Sequence, residues 1–249
     1  TFYNFAVNGS GETVTLGAAL TTSNNLTITA GTLDVSAAGC SAASCAVSVG
    51  GNWSNSGTFT ARTGTVTMTG SSKSISGSTT FYNFTKSVGT SDTLTFQAGT
   101  TQTFASGGTV TLNGASGQLL VLASSSSPTR WAMTVNGSQA VSYVNVTDSD
   151  ASGGNLITQT NSTNGGHNVN WDFDETAPTT SDDYGAKDGN WQNANQTITL
   201  TPADADSGVA STKYCTDSSN ACDPASGTSY TAAVTITTEG TTYFRYSST

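Results

Sequence analysis

The residues Thr1-Phe2-Tyr3-Asn4-Phe5 return unchanged as Thr80-Phe81-Tyr82-Asn83-Phe84. Working outward from the two copies, Thr13-Val14-Thr15-Leu16 answers Thr93-Leu94-Thr95-Phe96, and Leu26-Thr27-Ile28-Thr29 answers Val110-Thr111-Leu112-Asn113. The offset lengthens along the chain, as insertions in loops would make it. A phrase that comes back within one stretch predicts a repeat architecture, in which each unit buries its apolar side only by stacking on its neighbours.

Between the copies, apolar segments recur at short intervals: Leu33/Val35, Val47/Val49, Phe59, Val66/Met68, Ile75 and Phe81/Phe84. Within them apolar and hydroxyl residues alternate, as in Thr65-Val66-Thr67-Met68-Thr69, and a period of two puts one kind on each face of a strand. No stretch carries the period of an amphipathic helix. Gly, Ser and Asn fill the intervals (Gly50-Gly51-Asn52, Ser76-Gly77-Ser78), and these residues suit tight turns. The predicted fold class is therefore all-β. For residues 1–173 the favoured architecture is a parallel, right-handed β-helix with coils of roughly 20 to 25 residues, the long repeat spanning three or four of them. A β-sandwich would show strands at similar spacing, but it gives no reason for the phrase to recur.

Composition changes at Asp174-Glu175-Thr176-Ala177-Pro178-Thr179. Proline donates nothing to a sheet ladder and holds the residue before it extended, so residues 174–179 read as a linker. From 180 to 249, strand-like segments such as Thr197-Ile198-Thr199-Leu200 and Thr242-Tyr243-Phe244-Arg245-Tyr246 predict a small immunoglobulin-like sandwich, whose closing strand a longer chain would supply. The four cysteines form two local pairs, Cys40 with Cys45 and Cys215 with Cys222. Each is expected to be a disulfide clip on a short loop, worth less than the roughly 3 kcal/mol of a 15-residue loop. Zinc is a poor alternative, because the spacing is too wide for a knuckle and His167 is the one histidine.

The segments Asp174-Glu175-Thr176-Ala177-Pro178, Asp206-Ser207-Gly208-Val209 and Tyr243-Phe244-Arg245-Tyr246 resemble the bacterial immunoglobulin-like domains that occur in tandem on large surface proteins. The Thr-Phe-Tyr-Asn-Phe phrases and Asn168-Val169-Asn170-Trp171-Asp172-Phe173 resemble the β-helical stalks of giant repetitive, adhesin-like cell-surface proteins of bacteria and metagenomes. The Asp-Asn-Ala-Gly-Asn phrase that usually ends such immunoglobulin-like domains is absent. The resemblance implies an extracellular structural or adhesive role, not an enzyme, in a chain that continues into further domains.

Composition agrees independently. Charged residues are 9% of the chain, against about 25% in an average soluble domain, so uncharged polar groups carry its solubility. Seven Lys and Arg against sixteen Asp and Glu leave no basic footprint for nucleic-acid phosphates. The longest apolar run, Leu119-Leu120-Val121-Leu122-Ala123, is far shorter than the about 18 residues of a spanning helix, so membrane insertion is not expected in this segment.

Candidate sites are few. Asp148 and Asp150 would share a strand face, as the paired carboxylates of a carbohydrate-active β-helix must, although they sit in a turn-like stretch. Trp53 and Trp131 are candidate platforms for sugar rings. Asp174, Asp204 and Asp206 are candidate hard-oxygen ligands for a structural Ca²⁺, without the spacing of an EF-hand loop. A serine- or cysteine-based hydrolase would have to run through His167, with no nucleophile motif nearby. Thr-x-Thr recurs at 13/15, 27/29, 58/60, 65/67, 93/95 and 109/111, a pattern that suggests an ice-binding face, but the irregular spacing of the pairs argues against one plane. The expectation is a stalk or fibre segment that displays an immunoglobulin-like module and meets glycans or neighbouring surface chains.

Overall fold

A computed structural model of the chain describes residues 1–36, 40, 45–173, 177–204 and 209–249. The chain divides into two compact units, Thr1–Phe173 and Asp174–Thr249. Both are β; among the described residues the helical turns are two short 3₁₀ segments, Gly185–Lys187 and Pro224–Ser226.

In the first unit every ladder between strands is parallel, and consecutive strands fall in different sheets except Trp53–Asn55 and Thr58–Thr60, which both pair with Leu26–Asp34. Sheet A stacks Leu20–Thr22, Val47–Val49, Thr65–Met68, Asn83–Ser87, Thr109–Asn113 and Ser138–Ser142. Sheet B runs from Phe5–Thr15 and Leu26–Asp34 through Trp53–Asn55, Lys73–Ser76, Asp92–Phe96, Leu120–Ser124 and Val144–Thr147 to Thr163–Gly166. Sheet C stacks Thr79–Phe81, Thr101–Phe104, Trp131–Val135 and Ser149–Asp150. From Thr65 to Asp150 the chain visits A, B and C in turn and then returns to A one level on, which is the winding of a parallel β-helix. The coils are unequal. Val47 stacks on Val66, Val66 on Phe84 and Phe84 on Val110, so two coils of similar length are followed by a longer one.

The two-residue period predicted from the sequence is what fills the core. Val66 and Met68, Leu94 and Phe96, Met133 and Val135 point inward and are buried, while the threonines between them face out. Threonine suits those outward positions because its β-branched side chain fits a pleated surface. Aromatic rings thread the interior. Phe81 touches Trp53, Phe59, Phe84 and Phe104, with ring centroids 5.3, 5.9, 4.9 and 5.9 Å away, and Trp131 stacks on Phe96 at 3.8 Å. Each such side chain contributes about 1.5–3 kcal/mol by leaving water.

At the corners the backbone turns away from the ladder, and its N–H groups need other acceptors. Side chains of the adjacent coil supply them. Asn4 Oδ1 accepts from the Asn25 N–H at 3.1 Å, Asn25 Oδ1 from Asn52 at 2.9 Å, and Asn52 Oδ1 from Ser74 at 2.9 Å. Elsewhere Asn83 accepts from Thr109 and Gln118 from Ser91. The repeated phrase is one of these corner devices. Its two copies, however, stand at different corners: Phe2 bridges to Thr22 in sheet A and Phe5 pairs with Leu26 in sheet B, whereas Phe81 pairs with Phe104 in sheet C and Phe84 with Val110 in sheet A. The repeat therefore does not span a whole number of coils.

The second unit pairs its strands antiparallel: Thr179–Asp182 with Leu200–Ala203, Gln196–Ile198 with Val234–Ile236, and Thr212–Asp217 with both Thr228–Ser229 and Tyr243–Ser248. Thr179, expected at the end of the linker, begins the first of these strands. Among its described hydrophobic residues, Ile198 and Leu200 are the ones fully buried, so this core is small. Tyr214 stacks on Phe244, and the Tyr246 hydroxyl donates to Asp182 Oδ2 at 2.8 Å. That carboxylate, with burial adding to it, raises the Tyr246 phenol above its ordinary value.

Candidate functional site

The sugar platforms expected at Trp53 and Trp131 are not on the surface. Their alternation with inward residues (Trp131, Met133, Val135) turns both rings into the core, where Trp53 is 0% and Trp131 1% exposed. Each indole N–H is satisfied internally, Trp53 by Thr79 Oγ1 and Trp131 by the Thr147 carbonyl, both at 3.1 Å. Neither ring presents a face to a ligand outside the coil.

Asp148 and Asp150 do not form an exposed pair either. Asp148 sits at a coil corner with φ 56°, which breaks the strand alternation that would have put both carboxylates on one face. Its side chain is 1% exposed and meets His167 Nδ1 at 3.0 Å. His167 occupies the same corner one coil on, also left-handed at φ 57°, and its carbonyl accepts from Arg130 Nε at 2.7 Å. Asp150 faces outward on sheet C. Its carboxylate accepts from the hydroxyl and N–H of Ser152, and those bonds, with the nearby Arg130 charge, hold it below the ordinary carboxylate range against the opposing effect of burial. The two acids thus serve separate corners.

Sequence reasoning passed over the most unusual polar group, a Lys86–Asp92 pair inside the coil. Lys86 follows Phe84 in phase and Asp92 precedes Leu94 in phase, so both point inward, and both side chains are 1% exposed. Lys86 Nζ lies 2.5 Å from Asp92 Oδ2 and donates to the Gly70 carbonyl at 2.6 Å. Asp92 Oδ1 accepts from the Ser72 and Thr93 N–H groups, both at 2.7 Å. Burial by itself pushes the Asp92 carboxyl up; the Lys86 ammonium and the two N–H groups outweigh it and hold the group below its ordinary value. A third ionic contact, Arg62 with Asp34, is bidentate and lies at a more exposed corner, where the guanidinium lowers the carboxyl.

An open groove of about 350 Å³ lies on sheet A, lined by Asn113, Gln139, Val141, Ser142, Gln159 and Thr160 among others. Its lining holds amides, hydroxyls and aliphatic groups, and none of the acids or tryptophans discussed above. Comparison of the chain with protein-family models, with curated proteins and with solved structures finds no match.

For the metal expectation, Asp174 and Asp206 lie outside the described residues, and Asp204 closes the strand Leu200–Ala203. Among the described residues no three His, Cys, Asp or Glu side chains come together as a metal site. Both disulfides, Cys40–Cys45 and Cys215–Cys222, are formed. The second closes a loop already organised by Asp217, whose carboxylate accepts from the N–H groups of Asn220, Ala221 and Cys222 and is thereby held below its ordinary range. Among the described residues no helix is long and apolar enough to cross a membrane.

The six Thr-x-Thr pairs do not share one plane, as their irregular spacing suggested: 13/15, 27/29, 58/60 and 93/95 lie on strands of sheet B, and 65/67 and 109/111 on sheet A. On the outer face of sheet A, Thr21, Ser48, Thr67, Thr85 and Thr111 stack in register, followed by Ala140. Beside that file runs a second, in which Thr65 pairs with Asn83 and Thr109 with Ser138, Asn83 being tied to the Thr109 N–H. The uneven spacing in sequence is absorbed by loops between the sheets.

Proposed function

We propose that the protein is an extracellular structural and adhesive chain. On this reading Thr1–Phe173 is a segment of right-handed β-helical stalk, and the antiparallel unit after it is an immunoglobulin-like module that the stalk carries. A right-handed winding is what parallel crossovers favour. Glycans or neighbouring surface chains would be met by weak, repeated contacts along the hydroxyl faces.

The observation that carries the reading is how the chain uses its polar groups. Asp34, Asp92, Asp148, Asp150 and the corner asparagines all bind backbone or partner side chains between or within coils. Groups so engaged hold a column together. Two disulfides suit an oxidising compartment, and the resemblance to adhesin-like stalks points the same way.

Extending the full chain between two handles in a single-molecule instrument tests the mechanical role. Because each coil contacts only its neighbours, coils are expected to come away in succession. One low-force rupture of the whole stalk would refute it. In parallel, incubation with soluble and insoluble polysaccharides should release no new reducing ends. Release that disappears in Asp148→Asn or Asp150→Asn would replace the stalk with a carbohydrate-active β-helix.

A further inference from the structure

We propose that the outer face of sheet A binds ice, through the two hydroxyl files centred on Thr65, Thr67, Thr85, Thr109 and Thr111. The register places these side chains on a grid. Neighbouring strands stand about 4.8 Å apart, and alternate residues along a strand about 6.6 Å apart. Thr67, Thr85 and Thr111 are successive rungs of one file; Thr65 and Thr109 flank Asn83 in the other.

Three features favour ordered water over other occupants. Among the described residues no protein group is hydrogen-bonded to these five threonine hydroxyls, so each keeps a donor and acceptor for a ligand. The two files consist of Thr, Ser, Asn and Ala, without a charge that would hold its own hydration shell against a lattice. They also carry no aromatic ring or carboxylate of the kind that grips a sugar chain. What they offer is alternating methyl and hydroxyl groups on a backbone whose ladder keeps the spacing constant. Water beside such a face can hydrogen-bond to each rung and cage each methyl in one repeating pattern. A surface that pre-orders water in two dimensions is complementary to the face of a growing crystal.

The test uses the full 249-residue chain. Its partition into a slowly growing ice front and its inhibition of ice recrystallisation are measured for the wild type, Thr85→Tyr, Thr85→Val and the control Thr103→Tyr. Thr103 faces outward on sheet C, between Thr80 and Thr134, away from the proposed grid. The wild type and Thr103→Tyr are expected to enter the ice and to slow recrystallisation. Thr85→Tyr, which raises a ring in the middle of the grid, should lose most of both effects. Thr85→Val keeps the β-branched shape and should weaken them less, with circular dichroism unchanged, so a folding defect is distinguished from a lost contact. Exclusion of the wild type from ice, or an equal loss in Thr103→Tyr, would overturn the proposal. So would binding to microcrystalline cellulose, or self-association in gel filtration, that Thr85→Tyr abolishes while the wild type stays out of ice. None of these results depends on the mechanical test of the stalk.

Discussion

Replacing Asp92 by Asn should damage the β-helix more than its single-atom change suggests. The substitution leaves an oxygen for the Ser72 and Thr93 N–H groups, but it removes the charge that faces Lys86. The ammonium then stays in the core with the Gly70 carbonyl as its remaining acceptor. Removing one partner of a buried pair typically costs about 3–5 kcal/mol, because the other charge is left uncompensated. With a urea dependence of about 1–3 kcal/mol per molar, the midpoint should fall by more than about 1 M. Lys86→Met with Asp92→Asn removes both charges and should recover most of the loss, since neutral replacement of a whole buried pair is often tolerated. Tryptophan emission follows the transition, with Trp53 and Trp131 buried on either side of the pair. Amide exchange in Lys73–Ser76 and Asp92–Phe96 would show whether coils open locally first. The pH dependence has a definite sign. Asp92 titrates lower folded than unfolded, so its contribution is complete above the unfolded value of about 3.9 and fades as pH falls through the folded one. The gap between wild type and Asp92→Asn should therefore close below about pH 4. A loss under about 1 kcal/mol at neutral pH, or a double variant no better than the single one, would mean that the ammonium is hydrated in solution and the argument fails.

Two further outcomes follow from the geometry. Gly77 has φ 75°, and a Cβ there would overlap the Asn55 carbonyl oxygen of the adjacent coil; Gly77→Ala should lower stability by about 3 kcal/mol or more in urea unfolding, whereas Gly17→Ala, with open space around it, should stay within about 0.5 kcal/mol. In the second unit, the N–H of Ala221 first, then those of Cys222 and Asn220 and the Ser219 hydroxyl, hold Asp217 low against burial. The order these bonds give the Cys215–Cys222 loop is complete above the unfolded carboxyl value and is lost as pH falls through the lower folded one. Amide shifts of residues 220–222 should titrate below about pH 4 in the wild type and stay flat in Asp217→Asn; titration at or above the ordinary carboxylate value would contradict the assigned bonds.

Much of the fold was legible because its signals are local. Strand phase shows in Thr65-Val66-Thr67-Met68, and the cysteines pair with near neighbours in sequence. The same phase held information that the site reading left unused. Lys86 is in phase with Phe84, Asp92 with Leu94, and Trp131 with Met133, so the strand period alone marks each as inward. The Asp148 and Asp150 pairing failed for a different reason. It assumed unbroken alternation, and the left-handed backbone at Asp148 breaks it.

What the sequence by itself determined is which side of each strand faces the core, because a period of two is a property of consecutive residues. Which coil lies on which, only the tertiary structure decided. Loops of unequal length absorb any offset, so sequence distance does not measure spatial distance: identical phrases came to rest at different corners, and Thr67, Thr85 and Thr111, unevenly spaced in sequence, came into line on sheet A. Register is set where ladder hydrogen bonds, corner side chains and inward residues are satisfied together, since a slip of one residue would turn the core outward.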